Sequence, residues 1–342
     1  MMVIRPIQAS DYGSLHDIAV ESGIGFTSLP VNETLLRNKI AGSEASFAQD
    51  VDAPGDQSYL FVMEDSETGK VVGTSGIQAS VGLDDAFYHY HLSKVAHASR
   101  ELDIYNLVDI LTLCNDYTGV TEICTLFLRE QARKGNNGRF LSKFRFLFLK
   151  EHASRFAETV IAEMRGVSDE HGNSPFWQWL EEHFFSMDFP TADYLTGIGQ
   201  KVFIAELMPK YPIYVNLLSK EAQAVIGKVH DKTRPALQLL ESEGFRNRGY
   251  VDIFDAGPTV EADLQHIRTA RISRKLAAAV GDPEGAKLHM VINTKLQGFR
   301  AVVTPLLVSK DEQRAIISQA ALTALQIDEG DQVRFASLLL KG

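Results

Sequence analysis

The sequence predicts an α/β (α+β) fold: a mixed central sheet flanked by helices, with a small β-rich appendage at the C-terminus. Three observations carry this prediction. Two apolar runs, residues 59–63 and 71–80, flank the polar turn Glu67-Thr68-Gly69-Lys70 and read as a hairpin. A further apolar run with Ile123, Cys124, Leu126, Phe127 and Leu128 breaks into a turn carrying Gly135 and Gly138. That turn leads into a segment with Phe140, Leu141, Phe144, Leu147 and Phe148 at helical spacing. Strands and helices that alternate in this way bury their apolar surfaces as a sheet covered by helices.

Each element has a local reason. Residues 2–6 are β-prone, and Ser10-Asp11 cap a helix bearing Leu15, Ile18 and Ala19. Gly23, Gly25 and Pro30 punctuate a loop, after which Asn32 caps a second helix through Leu35, Leu36 and Ile40. Residues 45–57 are polar and read as a loop, whereas 82–101, rich in aromatic and histidine side chains, extend the sheet. Residues 160–164 form a buried strand, and Ser174-Pro175 opens a helix with Trp177, Trp179 and Leu180. The order to this point is β-α-α-β-β-β-α-β-α.

Later elements follow from weaker patterns. Residues 201–207 and 249–254 read as strands. Residues 220–229 and 233–242 read as helices, the second stopped by Gly244, and 263–280 as one long amphipathic helix. Gly281-Asp282-Pro283 marks a boundary. The organisation expected is a main domain over residues 1–282, with a core of 1–190 and an extension of 191–282, then a β-barrel-like unit over 283–342 serving assembly or stability.

Composition narrows the function. A net charge of -10 lacks the basic face of a nucleic-acid binder. The two cysteines, Cys114 and Cys124, make neither a disulfide framework nor a zinc ribbon, and are expected as reduced core residues. The start MMVIRPIQASDY has no apolar stretch behind a basic end, and no run of about 20 apolar residues occurs. A soluble cytoplasmic protein with no membrane partner is the expectation.

The turn between the run ending at Leu128 and the following helix is the first candidate site. A strand, a tight turn and a helix aim free backbone N–H groups and the positive end of the helix dipole at one point, which suits a phosphate or pyrophosphate. Arg129, Arg133, Lys134, Arg139, Lys143, Arg145 and Lys150 crowd this segment against one acid, Glu130. Arg139 sits in the first helical turn, where a cation costs about 0.3–1 kcal/mol that a bound polyanion would offset. The alternative is an ordinary helix start that binds nothing. The segment is neither a Walker loop nor a dinucleotide fingerprint. Arg133-x-x-Asn136-x-Gly138 resembles the R/Q-x-x-G-x-G/A loop with which GNAT-type acyl-CoA N-acyltransferases grip the coenzyme A pyrophosphate. Asn136 stands where that pattern has glycine, and Gly135 comes one place early.

Longer blocks resemble one family within that group, the arginine N-succinyltransferases. They are MMVIRPI at the start, GFTSLP at 25–30, FVMEDSETG at 61–69, CTLFL at 124–128 and AEMRG at 162–166. SPFW at 174–177, FFSMDF at 184–189, FIAELMPK at 203–210 and EGFRNRGYVDIFDAGPT at 243–259 complete the set. The resemblance implies a GNAT-type fold and transfer of the succinyl group of succinyl-CoA to the α-amine of L-arginine, in arginine degradation. It implies succinyl-CoA as cosubstrate with no tightly bound cofactor. It also implies a homo-oligomer, or a hetero-oligomer with a paralogous subunit. By the same resemblance, Leu126 is a succinyl-CoA contact and His230 a proton donor. Leu128, Arg133, Gly135, Asn136 and Gly138 complete the expected cofactor site.

The chemistry asks for the remaining residues. A neutral amine must attack, the oxyanion needs donors, and the thiolate needs a proton. Neither cysteine has an evident histidine partner, so a direct attack is expected and not a Cys nucleophile. A guanidinium wants a carboxylate; Glu163 is the candidate, with Asp188, Asp193 and Asp255 as alternatives. Arg165 is the candidate for the succinyl carboxylate, although an Arg165–Glu163 pair would serve order alone. Thr27 and Ser28 are expected to line the acceptor pocket. His91, His97 and His183 are weaker candidates than His230, and no metal site is expected. Two other functions stay open: a preference for ornithine, and a non-catalytic subunit that binds acyl-CoA or arginine.

Overall fold

The computed structural model describes residues 1–23, 26–311 and 313–339; Gly25, read above as loop punctuation, lies outside them. The chain runs β1 (Met2–Pro6), α1 (Tyr12–Ser22), α2 (Glu33–Ala48), β2 (Ser58–Asp65), β3 (Lys70–Gln78), β4 (His89–Ser99), β5 (Ile104–Cys114) and β6 (Thr121–Leu128). Next come α3 (Asn137–Glu151), β7 (Thr159–Glu163), α4 (Pro175–Leu180), α5 (Phe189–Gly197), α6 (Val202–Leu207), β8 (Ile213–Tyr214), α7 (Lys220–Val225) and α8 (Arg234–Glu243). The chain closes with β9 (Arg246–Val251), β10 (Pro258–Asp263), α9 (Arg268–Ile272), β11 (Arg274–Val280), β12 (Leu288–Asn293), β13 (Ala301–Pro305), β14 (Leu307–Val308), β15 (Arg314–Ile317), α10 (Gln319–Leu325) and β16 (Gln332–Ser337).

The strands join edge to edge in the order β14-β15-β11-β16-β12-β13-β1-β2-β3-β6-β7-β10-β9-β4-β5-β8. The fold is the mixed α/β arrangement expected, and the C-terminal strands enter it where β13 pairs with β1, Val3 opposite Val302. Helix α3 covers one face through interlocked rings: Phe61 meets Phe144 at 4.9 Å and Phe148 at 5.0 Å, both edge-on. Edge-to-face pairs of this kind add to the area they bury. Helices α1 and α2 cover the other face, packing Leu15, Ile18, Leu36 and Ile40 on Leu60, Val62 and Val71. A side chain at Gly73 would put its Cβ 2.8 Å from the Phe127 carbonyl oxygen and 2.9 Å from Leu141. The bare backbone there lets α3 lie close on β3 and β6.

Several caps form as the sequence suggests. Asn32 Oδ1 accepts from Leu35 N at 3.1 Å, and Ser174 caps α4 ahead of Pro175. Asp11 departs from its expected role. It accepts from Gln8 N, closing a capping box on the 3-10 turn Ala9–Asp11, and pairs with Arg5 Nη1 at 2.7 Å, so it ties the start of α1 to β1 and does not cap α1 with its side chain.

Four expectations need correction. Helix α2 runs to Ala48, into the stretch read as loop, because Phe47 buries itself between Tyr59 and Phe61. Residues 102–121 hold a strand not foreseen, β5, paired with β4 from His89 opposite Cys114 to Ser99 opposite Ile104. Residues 202–207 are helical, since Ile204 and Met208 must both reach the core beneath α4. The long helix read over 263–280 is three elements: the end of β10, α9, and β11, whose Arg274–Ala277 pair with Phe335–Gln332.

Candidate active site

Strands β6 and β7 are parallel neighbours for only a short distance. Thr121 pairs with Val160 and Glu122 with Ile161; beyond that no pair joins them. Strand β6 continues along β3 to Leu128, while β7 continues along β10 to Glu163. The two strands therefore open like a V, and residues 123–128 have no ladder partner on the β7 side. Thr125, with φ 53, sits at the irregularity between Thr74 and Gly76 where β6 bends away. A β-branched residue in this region is strained, so the bend is held by its surroundings. Leu126 and Leu128 are half-buried, their side chains packed on the main core.

At the open end of β6 the chain turns into α3. Gly135 takes φ +57, so the left-handed residue of the turn is this glycine; Asn136 keeps φ -109. Among the described residues, no acceptor is bonded by the amides of Gly135, Asn136, Gly138 or Arg139, and Asn136 makes no side-chain cap. Those donors sit at the positive end of a helix of 15 residues. Arg133 is exposed and clamps the turn from outside, donating from Nε to the Leu128 carbonyl at 2.8 Å.

The basic character of this segment divides. Lys134 and Arg139 are exposed beside the free amides. Lys143 and Arg145 are only 2% exposed and serve the interior. Lys143 Nζ lies 2.8 Å from Glu243 Oε1 of α8. Arg145 donates to the Ser142 carbonyl and, at 3.4 Å, to that of Cys124; burial lowers its guanidinium to about 10. Arg129 faces Asp17 and Glu21 of α1. These three are structural, and they do not belong to a phosphate patch.

At the far end of β7 the strand passes Glu163, Arg165 and Gly166, and an isolated bridge joins Gly166 to Val229. His230 hangs from this bridge by its N–H, which donates to the Arg165 carbonyl at 2.9 Å. Its Nδ1 accepts from Lys232 N at 3.1 Å, so the neutral ring carries its proton on Nε2. Burial first, then the charges of Arg165 and Lys232, lower its pKa below the ordinary value, against a bond to the Ser168 backbone. The ring lines a cleft of about 470 Å³ with Ser168, Lys228, Asp231 and Arg234. Arg165 donates from Nη2 to Ser168 Oγ at 2.9 Å and leaves Nε buried without a partner.

Of the four acids considered for the acceptor, three are engaged elsewhere. Asp188 caps α5 through Thr191 N, and Asp193 accepts from the Thr27 hydroxyl. Asp255 is fixed by the Gly166 and Gly257 amides at 2.6 and 2.8 Å. Glu163, at the end of β7, is the remaining acid. Its Oε1 lies 2.9 Å from Nε2 of His89, a residue whose ring is fully buried. Water reaches 31% of the Glu163 side chain; partial burial, then the charge of Asp252, raises its carboxyl to about 8. Glu122 is raised to about 8 as well, by burial and by Glu163.

Thr27 belongs to a loop docked on α5, while Ser28 is half-buried. His91 leans on Tyr250 at 4.6 Å and His183 stacks on Trp179 at 4.3 Å, which gives both an ordinary packing role. Glu122 and His89 were not among the sequence candidates. Strand alternation puts His89 on one face with His91, and that is the one signal in the sequence pointing to it. Among the described residues, no group of three or more His, Cys, Asp or Glu could hold a metal ion, and no helix is long and apolar enough to cross a membrane.

The chain is similar to known proteins over nearly its whole length. Residues 2–269 match a family model described as arginine N-succinyltransferase beta subunit, and residues 269–337 match the model of its C-terminal domain. An arginine N-succinyltransferase of Citrobacter koseri is 48% identical over 340 residues, 99% of this chain and 98% of the relative. One from Salmonella schwarzengrund is 49% identical over 342 residues, again 99% and 98%. The solved structure of arginine/ornithine succinyltransferase subunit AI from Pseudomonas aeruginosa has a TM-score of 0.91 at 38% identity, covering 99% of each chain.

Proposed function

The chain belongs to the arginine N-succinyltransferase family, and we propose how its residues divide the work of that reaction. The enzyme is a GNAT-type acyltransferase that moves the succinyl group of succinyl-CoA to arginine, giving N2-succinyl-L-arginine and CoA. The observation that carries the division of roles is the V between β6 and β7: beyond the end of β6, at the start of α3, stand four amides without an acceptor among the described residues, and beyond the end of β7 stands the His230 segment.

Coenzyme A lies along β6. The amides of Gly135, Asn136 and Gly138 take the pyrophosphate, with the dipole of α3 behind them and Arg133 bracing the turn. The main chain of Leu126 and Leu128, released from β7, bonds the pantetheine amides and offers an N–H to the thioester oxygen as negative charge builds on it. The α-amine of arginine attacks the thioester carbon directly. The tetrahedral intermediate collapses with loss of the CoA thiolate, which accepts a hydrogen bond from Nε2–H of His230, and the proton shed by the attacking amine passes to that sulfur, so that CoA leaves as its thiol. The neutral ring keeps its N–H on Nε2, the nitrogen turned to the sulfur, because Nδ1 is occupied by the Lys232 amide.

Two neighbouring side chains at the end of β7, Glu163 and Arg165, differ in charge. Lys228 and Arg234 line the cleft and suit carboxylates, and Arg165, bonded to the lining residue Ser168, brings an Nε that has no partner among the described residues and is free to donate to the succinyl group. Glu163 faces the acceptor's cation. Thr27 and Ser28 close the acceptor side through the loop held on Asp193. Initial rates with arginine, ornithine and lysine against succinyl-CoA and acetyl-CoA test the reading. The fastest pair is expected to be arginine with succinyl-CoA; faster turnover of ornithine would transfer the assignment to that acceptor.

A further inference from the structure

The face of the sheet opposite α3 carries a row of polar side chains of which the division of roles above uses only Glu163. Glu122 of β6 is level with Ile161 of β7, so Glu163, two residues on, looks out from the same face. Thr259 of β10 stands directly opposite Glu163, fully buried, with a hydroxyl that has no partner. On β4, Tyr90 pairs with Val251 and His91 with Tyr250, which sets His89 against Asp252. Strands far apart in sequence thus bring Glu122, Glu163, Asp252 and His89 to one patch beside the V.

His89 is what makes this patch more than a group of acids. Its ring is fully buried and held between Phe87 at 4.8 Å and Tyr117 at 5.0 Å, both edge-on. Tyr117 is itself anchored by a 2.6 Å bond to Glu261. Neither ring nitrogen makes an aligned hydrogen bond, yet Nε2 is 2.9 Å from Glu163 Oε1. An imidazole clamped by aromatics, with its polar edge turned to a carboxyl, fixes where that carboxyl points. Burying unpartnered nitrogens costs free energy that a bound ligand can restore. The Glu163 carboxyl is opposed by the charges of Glu122 and Asp252, a conflict that a cation of matching shape removes. Lys39 and Lys201 oppose the acids only through their charge at longer range.

We propose that the carboxyls of Glu163 and Glu122 form the receptor for the acceptor's guanidinium, and that His89 is the positioning residue that holds Glu163 in it; Asp252, held by the amides of Phe254 and Asp255, adds only its charge. This rests on the acyl-transfer reading above and adds the feature that reads the substrate's charge. A planar guanidinium donates to two carboxyls at once, whereas a neutral ureido group of the same shape gives no such pairing.

The test compares arginine with citrulline, its uncharged isostere, as acceptors in the wild type and in Glu163→Gln, His89→Phe and the double variant. The wild type should prefer arginine by about 30-fold or more in kcat/KM. Glu163→Gln should remove most of that preference through the KM for arginine, with the KM for succinyl-CoA unchanged. His89→Phe should lower the preference about 10-fold, and adding it to Glu163→Gln should cost nothing further, because it acts through that carboxyl. A preference that survives Glu163→Gln, or losses that multiply in the double variant, would overturn the proposal. If His89→Phe does not fold, Glu163→Gln, at a water-accessible side chain, still decides it. A wild type that consumes no succinyl-CoA with either acceptor would count against the acyl-transfer reading itself.

Discussion

The main-chain N–H of His230 donates to the Arg165 carbonyl at 2.9 Å, so the histidine is fastened to the end of the strand that carries Glu163. The imidazole is placed by backbone, not by a flexible loop of its own. Replacing it should therefore disturb chemistry and leave binding intact. His230→Ala should lower kcat about 10²–10⁴-fold, the usual worth of a positioned proton donor, with little change in the KM for succinyl-CoA. Unchanged kcat in steady-state assays would remove His230 from the mechanism.

Arg133 braces the turn before α3 through the Leu128 carbonyl. Arg133→Ala should raise the KM for succinyl-CoA about 10-fold, from a lost charged hydrogen bond, and the KM for arginine much less. Equal effects on both substrates would dissociate this turn from CoA. Gly135→Val should be worse than Gly135→Asn, because φ +57 is open to asparagine and strained for a β-branched side chain; equal affinity for CoA in both variants would contradict this.

Much of the fold was legible because its signals are local. Asn32, Ser174-Pro175 and the strand, turn and helix around Gly135 each act within a few residues. What escaped depends on partners far along the chain. Strand β11 is defined by pairing with β16, Arg274 opposite Phe335, and nothing near residue 274 announces it. Lys143 and Arg145 looked like phosphate ligands from their spacing, but Lys143 meets Glu243 of α8 and Arg145 meets the carbonyl of Cys124. His89 gains its meaning only beside Glu163.

Lys143 and Glu243 are 2% and 0% exposed, and Glu243 also accepts from Thr269 N at 2.7 Å. Lys143→Met leaves that carboxylate buried without its cation and should cost about 3–5 kcal/mol. The double variant Lys143→Met, Glu243→Leu should recover part of this loss but not all, since the Thr269 amide is then orphaned. Urea unfolding of the three variants measures it; a single variant as stable as the wild type would mean the pair is dispensable.

His152, against Phe148 at 4.7 Å, is lowered to about 4, chiefly by burial. The unfolded chain takes up this proton near the ordinary value of about 6.5, before the folded one does. The neutral ring's contribution is therefore complete above pH 6.5 and lost as pH falls towards 4. His152→Phe should shed about 1–3 kcal/mol less stability than the wild type between pH 7 and 4.5. Taking the difference cancels His89, Glu122 and Glu163; parallel pH profiles would show that His152 is solvated.

The central claim is that this chain by itself aims a thioester, held by the amides before α3, at an amine beside His230. Purified chain supplied with succinyl-CoA and arginine should release CoA thiol and form N2-succinyl-L-arginine in equal amounts. Well-folded protein that binds neither CoA nor succinyl-CoA, and releases no thiol in the presence of arginine, would contradict it.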